Sequence, residues 1–455
     1  MAAREAISLM SARGDPGERA ITPPTPENLD DTGLSGEFVT DLVLRTMYVQ
    51  GAQMGQQLSQ SVRLPFPLID DLLLTLQHRR MVEVRGVRGP NRGTYIFDLT
   101  DGGRARAREA MASLSYVGPA PVPLAQYRVS VGAQSIRHAR VNQEAVHAGL
   151  GWLVLDSSTV DMVGPAVNSA KSLFLYVDSG NGKTAIAETL AGMLGGSQFI
   201  PFAVEVNGEV LVLFDPVYHR PVEPPAMDVA KASWLDGGPT HDQRYVLIHR
   251  PVVLTGGELS LDQLDLQYDQ AAKLYQAPFQ MKANGGVLIV DDFGRQRVPP
   301  RDLLNRWIVP LEKKVDYLTL HTGGKFPVPF DCLLIFATNI PPTNLVEEAF
   351  LRRIHYKIRV ESPTRDQYER IFQRYCEQNG IAYDPQAVAQ IWREFYEVFS
   401  IAPRGCHPRD LLDHLFDIAT YMEVEAQLTP ELVRLAGKSY FLDFPTALPP
   451  SKGDA

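Results

Sequence analysis

The chain has 455 residues, of which 45% are apolar and 21% charged, the composition of an ordinary globular protein with two or three domains. Its formal net charge of −9 argues against a protein that coats nucleic acid with its whole surface. The three cysteines lack the spacing of a zinc site or a disulfide framework, and no apolar run reaches the roughly 18 residues of a membrane span, so we expect a cytoplasmic protein with reduced thiols and no membrane insertion.

The N-terminal quarter is predicted to hold a tail and a small α+β domain. Residues 1–33 are rich in proline and poor in large apolar side chains, which predicts a flexible tail. Residues 34–115 show three helical patterns, two short strands and a last helix from Thr100. This order resembles a winged-helix domain, and Leu99-Thr-Asp-Gly-Gly-Arg is similar to a segment that often closes such domains.

Arginine is concentrated in the second half of this domain. Between Arg79 and Glu109 there are eight arginines and four acids. Arg85, Arg88 and Arg92 lie in or beside the loop between the two strands, which makes them candidate contacts to nucleic-acid phosphates. The alternative is a solvated surface on a protein-interaction module, because winged helices serve both uses.

The rest of the chain is predicted to form an α/β domain and a helical domain. Residues 116–126 are proline-rich and predict a stiff linker that holds the N-terminal domain away. Residues 127–360 alternate apolar strands and helices, with strands at 173–177, 199–204, 286–290 and 332–337 in one parallel sheet. An inserted hairpin element at about 205–258 turns at Asn207-Gly208. Residues 361–443 predict a helical lid and residues 444–455 a tail.

A phosphate-binding loop follows the first of these strands. The sequence Ser179-Gly-Asn-Gly-Lys-Thr-Ala185 stands between an apolar strand and a helix, where backbone N–H groups and the helix N-terminus can bind a nucleotide phosphate. Gly180, Asn181, Gly182, Lys183 and Thr184 would bind the phosphates, and Thr184 would also hold Mg²⁺. The full pattern requires a glycine where this chain has Val177.

Two carboxylates follow the apolar strand at 286–290. Asp291 and Asp292 would lie at its carboxyl end, where parallel sheets bind ligands. Asp291 is expected to hold Mg²⁺, and Asp292 takes the place where a longer glutamate commonly orients the attacking water. With the Gly-Lys-Thr loop upstream, an ATP site is favoured over two acids in an ordinary turn.

Together with the next strand, these motifs resemble the AAA+ ATPase superfamily over residues 140–440. Asn339 matches the sensor-1 position between the two catalytic strands, Arg352 and Arg353 the arginine-finger region, and Arg409 the sensor-2 motif of the lid. A hairpin at 314–331, turning at Gly323-Gly324, is similar to the pre-sensor-1 hairpin group, which includes MoxR-like chaperones and helicase motors. The resemblance predicts a P-loop NTPase sheet with a helical lid, preceded by the small α+β winged-helix domain.

The function implied by this resemblance is that of an ATP-dependent remodelling ATPase. We expect a homo-oligomeric ring of six subunits that uses ATP and Mg²⁺ to act on a protein or nucleoprotein substrate. Which of Arg352 and Arg353 reaches the neighbouring subunit is open, although Arg353 fits the usual "arginine then apolar" ending better. Two alternatives stay open: an ATP-gated DNA-binding regulator that uses the winged helix, and a nucleotide-binding scaffold with little turnover.

Overall fold

The structure is a computed structural model that describes residues 21–151, 153–154, 156–177, 180–223, 241–345 and 348–441. The predicted C-terminal tail and most of the predicted N-terminal tail lie outside these residues. The elements of the N-terminal part are α1 Gly36–Gln50, β1 Gln53–Met54, α2 Gly55–Val62, α3 Phe66–His78, β2 Val82–Val87, β3 Tyr95–Leu99 and α4 Asp101–Ser113.

The middle part contains most of the strands. Its elements up to residue 255 are β4 Val122–Pro123, α5 Leu124–Ala133, α6 Gln143–Leu150, α7 Ser157–Asn168, β5 Leu173–Val177, α8 Lys183–Met193, β6 Ser197–Pro201, β7 Ala203–Val206, β8 Glu209–Val212, β9 Tyr245–His249 and β10 Val252–Thr255. They are followed by β11 Gln267–Asp269, β12 Leu274–Gln276, α9 Phe279–Lys282, β13 Val287–Val290, α10 Pro300–Lys313, β14 Val315–Thr319, β15 Lys325–Pro329, β16 Leu333–Thr338, α11 Pro342–Leu345, α12 Glu348–Leu351 and β17 Tyr356–Val360.

The C-terminal part is helical, as the sequence indicates. Its elements are α13 Arg365–Gln378, α14 Pro385–Ile391, a π-helical turn Trp392–Glu397, α15 His407–Tyr421 and α16 Pro430–Tyr440. Their apolar faces share one buried cluster, which includes Phe372, Ile391 and Leu415. None of the helices that the structure describes has the length and apolarity needed to span a membrane.

A five-stranded parallel sheet forms the centre of the middle part, in the order β10-β13-β16-β5-β17. Alternate strand residues face two different cores. Leu173 and Leu175 pack with α7 and α8 on one face, whereas Phe174 packs with α10 on the other. A parallel sheet with helices on both faces is the α/β architecture of P-loop proteins.

The membership of this sheet corrects two predictions. The strand expected at 199–204 lies outside it, because β6 pairs antiparallel with β9 and β7 pairs with β8. Strand β10, which falls inside the predicted insertion at 205–258, is instead an edge strand of the central sheet. A run of four apolar or β-branched residues looks the same in a strand of a central sheet and in a strand of a hairpin. The sequence pattern therefore does not distinguish between the two.

The N-terminal domain packs directly on the middle part, so the prediction that a stiff linker holds it away is wrong. Within the predicted linker, Val122–Pro123 forms β4, which extends the sheet β11-β12-β8-β7-β4. Ala203 and Val210 of the β7–β8 hairpin share one buried cluster with α1, α2 and α3. The spacing of prolines in residues 116–126 did not indicate that the N-terminal domain and the β7–β8 hairpin would share a buried core.

A buried arginine also joins the parts. Arg244 is 2% exposed and is paired with Asp242 at 2.8 Å. Its NH1 group donates to the carbonyl oxygens of Thr32 at 2.8 Å and Pro121 at 3.4 Å. The end of the predicted N-terminal tail is therefore held against the middle part.

Candidate functional site

The phosphate-binding loop leaves β5 and enters α8 through two glycines with positive φ. Gly180 has φ +91° and Gly182 has φ +77°, values that are accessible to glycine at no steric cost. Gly182 precedes the first residue of α8 and has no side chain with which to cap the N–H groups of the first turn, where Ala185 is half-buried. Uncapped N–H groups at a helix N-terminus are a suitable place for an anion to bind. Ser179 lies outside the described residues.

Two side chains from the start of α8 meet the two acids that follow β13. The Lys183 ammonium, on a residue that is 8% exposed, lies 3.4 Å from Asp292 Oδ1. The Thr184 hydroxyl donates a short hydrogen bond to Asp291 Oδ2. The motifs at 179–185 and 291–292, about a hundred residues apart in the sequence, therefore converge in space at the carboxyl edge of the sheet.

The strand order explains how they converge. Strand β16 lies between β5 and β13, so the loop after β16 stands between the phosphate-binding loop and the acids. Asn339 is the first residue after β16, which is the place that the resemblance gives it. Its Oδ1 is buried and has no hydrogen-bond partner among the described residues. A buried amide oxygen without a partner is costly, so it favours a further polar group at this site.

The donor set fits Mg²⁺ and a nucleoside triphosphate. The hydroxyl of Thr184 and the carboxylate of Asp291 are hard oxygen ligands in contact with each other, which suits Mg²⁺. A Cβ added at Gly182 would meet no atom within 4 Å, so the space over this point of the loop is open. Lys183 and the helix N-terminus supply the positive charge that phosphates require.

The two finger candidates differ in their surroundings. Arg353 is half-buried, and its Nε donates to Glu312 Oε1 of α10 at 2.5 Å. Arg352 is exposed. Although the sequence favours Arg353, the structure holds that residue by a carboxylate of its own chain.

The lid touches the phosphate-binding loop through residues 404–406. Cys406 N donates to Gly180 O at 2.8 Å, and Gly405 N donates to Asn181 Oδ1 at 2.8 Å. A Cβ at Gly180 would lie 2.7 Å from Cys406 Sγ and 3.2 Å from Arg404 Cδ. The first residues before α15 therefore rest on the loop.

Arg409, the predicted lid cation, is directed elsewhere. Its Nε and NH2 groups both donate to Asp410 Oδ1, at 3.0 and 2.7 Å, and its side chain is 56% exposed. The exposed Arg404, which sequence reasoning missed, lies against Gly180 instead. The sensor-2 motif points to Arg409 and not to Arg404. The only sequence signal for Arg404 was its place between a proline and a glycine just before a helix start.

A buried aromatic and histidine cluster supports this part of the lid. His407, the first residue of α15, is 4% exposed, and its Nδ1–H donates to Tyr396 OH of the π-helical turn at 2.7 Å. Tyr396 OH in turn donates to Tyr368 OH at 3.1 Å. Burial lowers the pKa of His407 to about 4, so the imidazole is neutral at pH 7.

The arginines proposed for nucleic-acid contact are partly engaged within their own domain. Arg85 lies 2.9 Å from Asp98, and Arg92 lies 2.7 Å from Asp70, with its guanidinium over the rings of Tyr95 and Phe97. Arg88 is exposed, and within the described chain no carboxylate pairs with it. Nucleic-acid binding by these arginines stays a prediction.

Comparison with known proteins gives a family match for the lid alone. Residues 364–439 match a domain of unknown function, DUF8689, which covers α13 to α16. No curated protein matches the chain.

Among solved structures, the chain is similar to RuvB of Thermotoga maritima, described as a Holliday junction branch migration motor. The TM-score is 0.33 at 14% identity, over 67% of this chain and 72% of that one. Two variants of the same protein give TM-scores of 0.34 and 0.35 at 13% and 14% identity, over 67% of this chain and 72% and 73% of theirs. A likeness this low carries no argument, so the assignment of function depends on the geometry of the site.

Proposed function

We propose that the protein is an ATP-hydrolysing member of the AAA+ superfamily that acts as a ring-forming motor or chaperone on a protein or nucleoprotein substrate. The observation that supports this most directly is the meeting of Lys183 and Thr184 with Asp292 and Asp291 across an intervening strand that ends at Asn339. Two motifs that merely lay in turns would not be expected to converge with a hydroxyl on one acid and an ammonium beside the other.

Each residue of the site has a chemical role in this proposal. The helix N-terminus after Gly182 and the Lys183 ammonium bind the phosphates, and Thr184 with Asp291 holds Mg²⁺. Bound Mg²⁺ neutralises charge on the phosphoryl group that is transferred. Asp292 accepts a hydrogen bond from the attacking water, and Asn339 helps to orient that water.

A second subunit completes the site in the proposed hexameric ring. A planar, permanently charged guanidinium suits the transferring phosphoryl group, and Arg352 or Arg353 would supply it from the neighbour. If Arg353 serves, it must first leave Glu312, to which it is bonded at 2.5 Å. Arg404 of the lid, which lies against Gly180, is a third cation that could reach the phosphates, within the subunit.

The test is ATP turnover by purified variants. Lys183→Ala and Asp291→Ala should each abolish Mg²⁺-dependent phosphate release. Lys171→Ala is the matched control, because this exposed lysine stands before β5, at the opposite end of the strand from the loop. Unchanged turnover in Lys183→Ala and Asp291→Ala would show that the site is wrongly assigned.

Assays of phosphate release, ATP binding and DNA binding separate the alternatives. Tight ATP binding without phosphate release over hours would identify a nucleotide-binding scaffold. Salt-dependent binding to duplex DNA, weakened by Arg88→Ala, would support the DNA-binding regulator. Because Arg85 and Arg92 already contact carboxylates in their own domain, no contact that the structure describes favours the regulator over the motor.

A further inference from the structure

The turn that carries Asp291 and Asp292 holds one residue in an unfavourable backbone conformation. Asp292 has φ +46°, in the left-handed region, which aspartate enters more readily than most L-residues but still at a conformational cost. This conformation accompanies the 3.4 Å approach of its carboxylate to Lys183. Such a conformation persists only where surrounding contacts enforce it.

The side chain of Gln296 bonds to the backbone on both sides of Asp292, alongside the main-chain bond from Arg295 N to Asp292 O at 2.9 Å. Its Nε2 donates to the carbonyl oxygens of Asp291 at 2.9 Å and Asp292 at 3.2 Å, and it lies 3.5 Å from Gly256 O beyond the end of β10. Its Oε1 accepts from Gly294 N at 2.8 Å. The side-chain amide of Gln296 thus bonds to backbone groups of the turn through both its NH2 group and its oxygen.

The inner side of the turn is fixed independently. Phe293 is fully buried, its N–H donates to Ala337 O at 2.8 Å, and its carbonyl oxygen accepts from Thr338 Oγ1 at 2.6 Å. Phe293 therefore binds the turn to β16, whereas Gln296 is the side chain that binds the carbonyl groups of Asp291 and Asp292. Removing Gln296 would leave the Phe293 contacts and the bond from Arg295 N to Asp292 O at 2.9 Å intact. It would remove the side-chain donor to Asp291 O and Asp292 O and the acceptor of Gly294 N.

We propose that Gln296 is a positioning residue of the site: it keeps Asp292 in the left-handed conformation that directs its carboxylate to the place where water is activated. It does so through the backbone, without contact to the substrate. The role in turnover rests on the proposed ATPase function, whereas the conformational role does not.

The conformational role is tested without nucleotide. In Gln296→Ala, the backbone amides of residues 292–294 should exchange with solvent faster than in the parent protein. Gln296→Met, which keeps the volume but neither hydrogen bond, should behave in the same way. Gln270→Ala, at an exposed glutamine in the turn between β11 and β12, is the control and should leave that exchange unchanged. Unchanged exchange in both Gln296 variants would overturn the proposal.

The catalytic consequence is tested by a double-mutant cycle. Gln296→Ala should lower kcat by about tenfold, with KM for ATP changed by less than about twofold, since misplacement of a reacting group costs rate more than binding. In an Asp292→Asn background the same substitution should lower kcat no further, because its effect passes through the Asp292 carboxylate. An equal loss in both backgrounds would refute the positioning role, whereas full turnover in Lys183→Ala would refute the ATPase site and leave the exchange result to decide on Gln296.

Discussion

A methyl group added at Gly180 tests whether the lid rests on the phosphate-binding loop in the way described. Gly180→Ala places a Cβ 2.7 Å from Cys406 Sγ and 3.2 Å from Arg404 Cδ, on a backbone with φ +91°. Gly323→Ala, at the tip of the β14–β15 hairpin, is a matched control. Its φ is +88°, and a Cβ there would meet nothing within 4 Å.

The two substitutions share one cost and differ in another. A left-handed L-residue costs about 1–2 kcal/mol, which both variants bear. Overpacking against the lid adds about 1–3 kcal/mol at Gly180 alone, because Cys406 and Arg404 must move away. The added cost corresponds to a population of the displaced lid that is raised by about 5- to 150-fold, since each 1.4 kcal/mol is a factor of ten.

The assay is hydrogen exchange at the Cys406 amide, which donates to Gly180 O at 2.8 Å. Its protection should fall in Gly180→Ala, stay unchanged in Gly323→Ala, and recover in part when Cys406→Ala removes the nearest atom. Equal protection in Gly180→Ala and the parent protein would show that the lid does not rest on this loop. The same result would remove Arg404 from the candidate phosphate ligands.

Three further predictions concern the lid cations, the lid's response to acid and the buried ion pair. Arg404→Ala should weaken ATP binding, measured by titration calorimetry, because Arg404 lies against Gly180. Arg409→Ala should change ATP binding little, because Asp410 binds the Arg409 guanidinium. The reverse order of effects would favour the sequence motif over the geometry. Burial lowers the pKa of His407 to about 4, so between pH 6.5 and 4 this imidazole takes up a proton only when the protein unfolds. The free energy of unfolding should therefore fall by about 2 kcal/mol from pH 7 to pH 5, and by much less in His407→Phe. Equal falls in the two proteins, measured by denaturant unfolding, would contradict this. Arg244→Met leaves the Asp242 carboxylate buried and unpaired and should lower the free energy of unfolding by about 3–5 kcal/mol, whereas adding Asp242→Leu should restore most of the loss; no recovery in the double variant would show that the pair is not the cause.

Local motifs made the proposed nucleotide site readable from the sequence. Lys183 and Thr184 follow a strand and open a helix, and Asp291 follows a second strand, so each motif could be placed at a strand end by periodicity alone. The hairpin predicted at 314–331 is confirmed, with β14 and β15 paired antiparallel around the glycine turn.

Contacts between distant segments could not be read in this way. Arg244 reaches Thr32 and Pro121, which stand 212 and 123 residues away, and no pattern around any of the three indicates the others. Arg404 was missed for a related reason: it faces Gly180 through the packing of a loop, which has no periodicity. Strand β10 joins the central sheet through parallel pairing with β13, a distant segment of the chain, and no local pattern indicates that pairing.

The cluster shared by the N-terminal domain and the β7–β8 hairpin decides where the chain can be divided. A shortened protein that began at Tyr127 would lose β4 from the edge of the sheet β11-β12-β8-β7-β4 and uncover Ala203 and Val210, both of which are fully buried in the structure. An unpaired sheet edge beside newly exposed apolar residues promotes self-association. Expression of residues 127–441 alone, or exchange of the N-terminal domain between relatives, would therefore require the β7–β8 hairpin to be redesigned together with the domain that covers it.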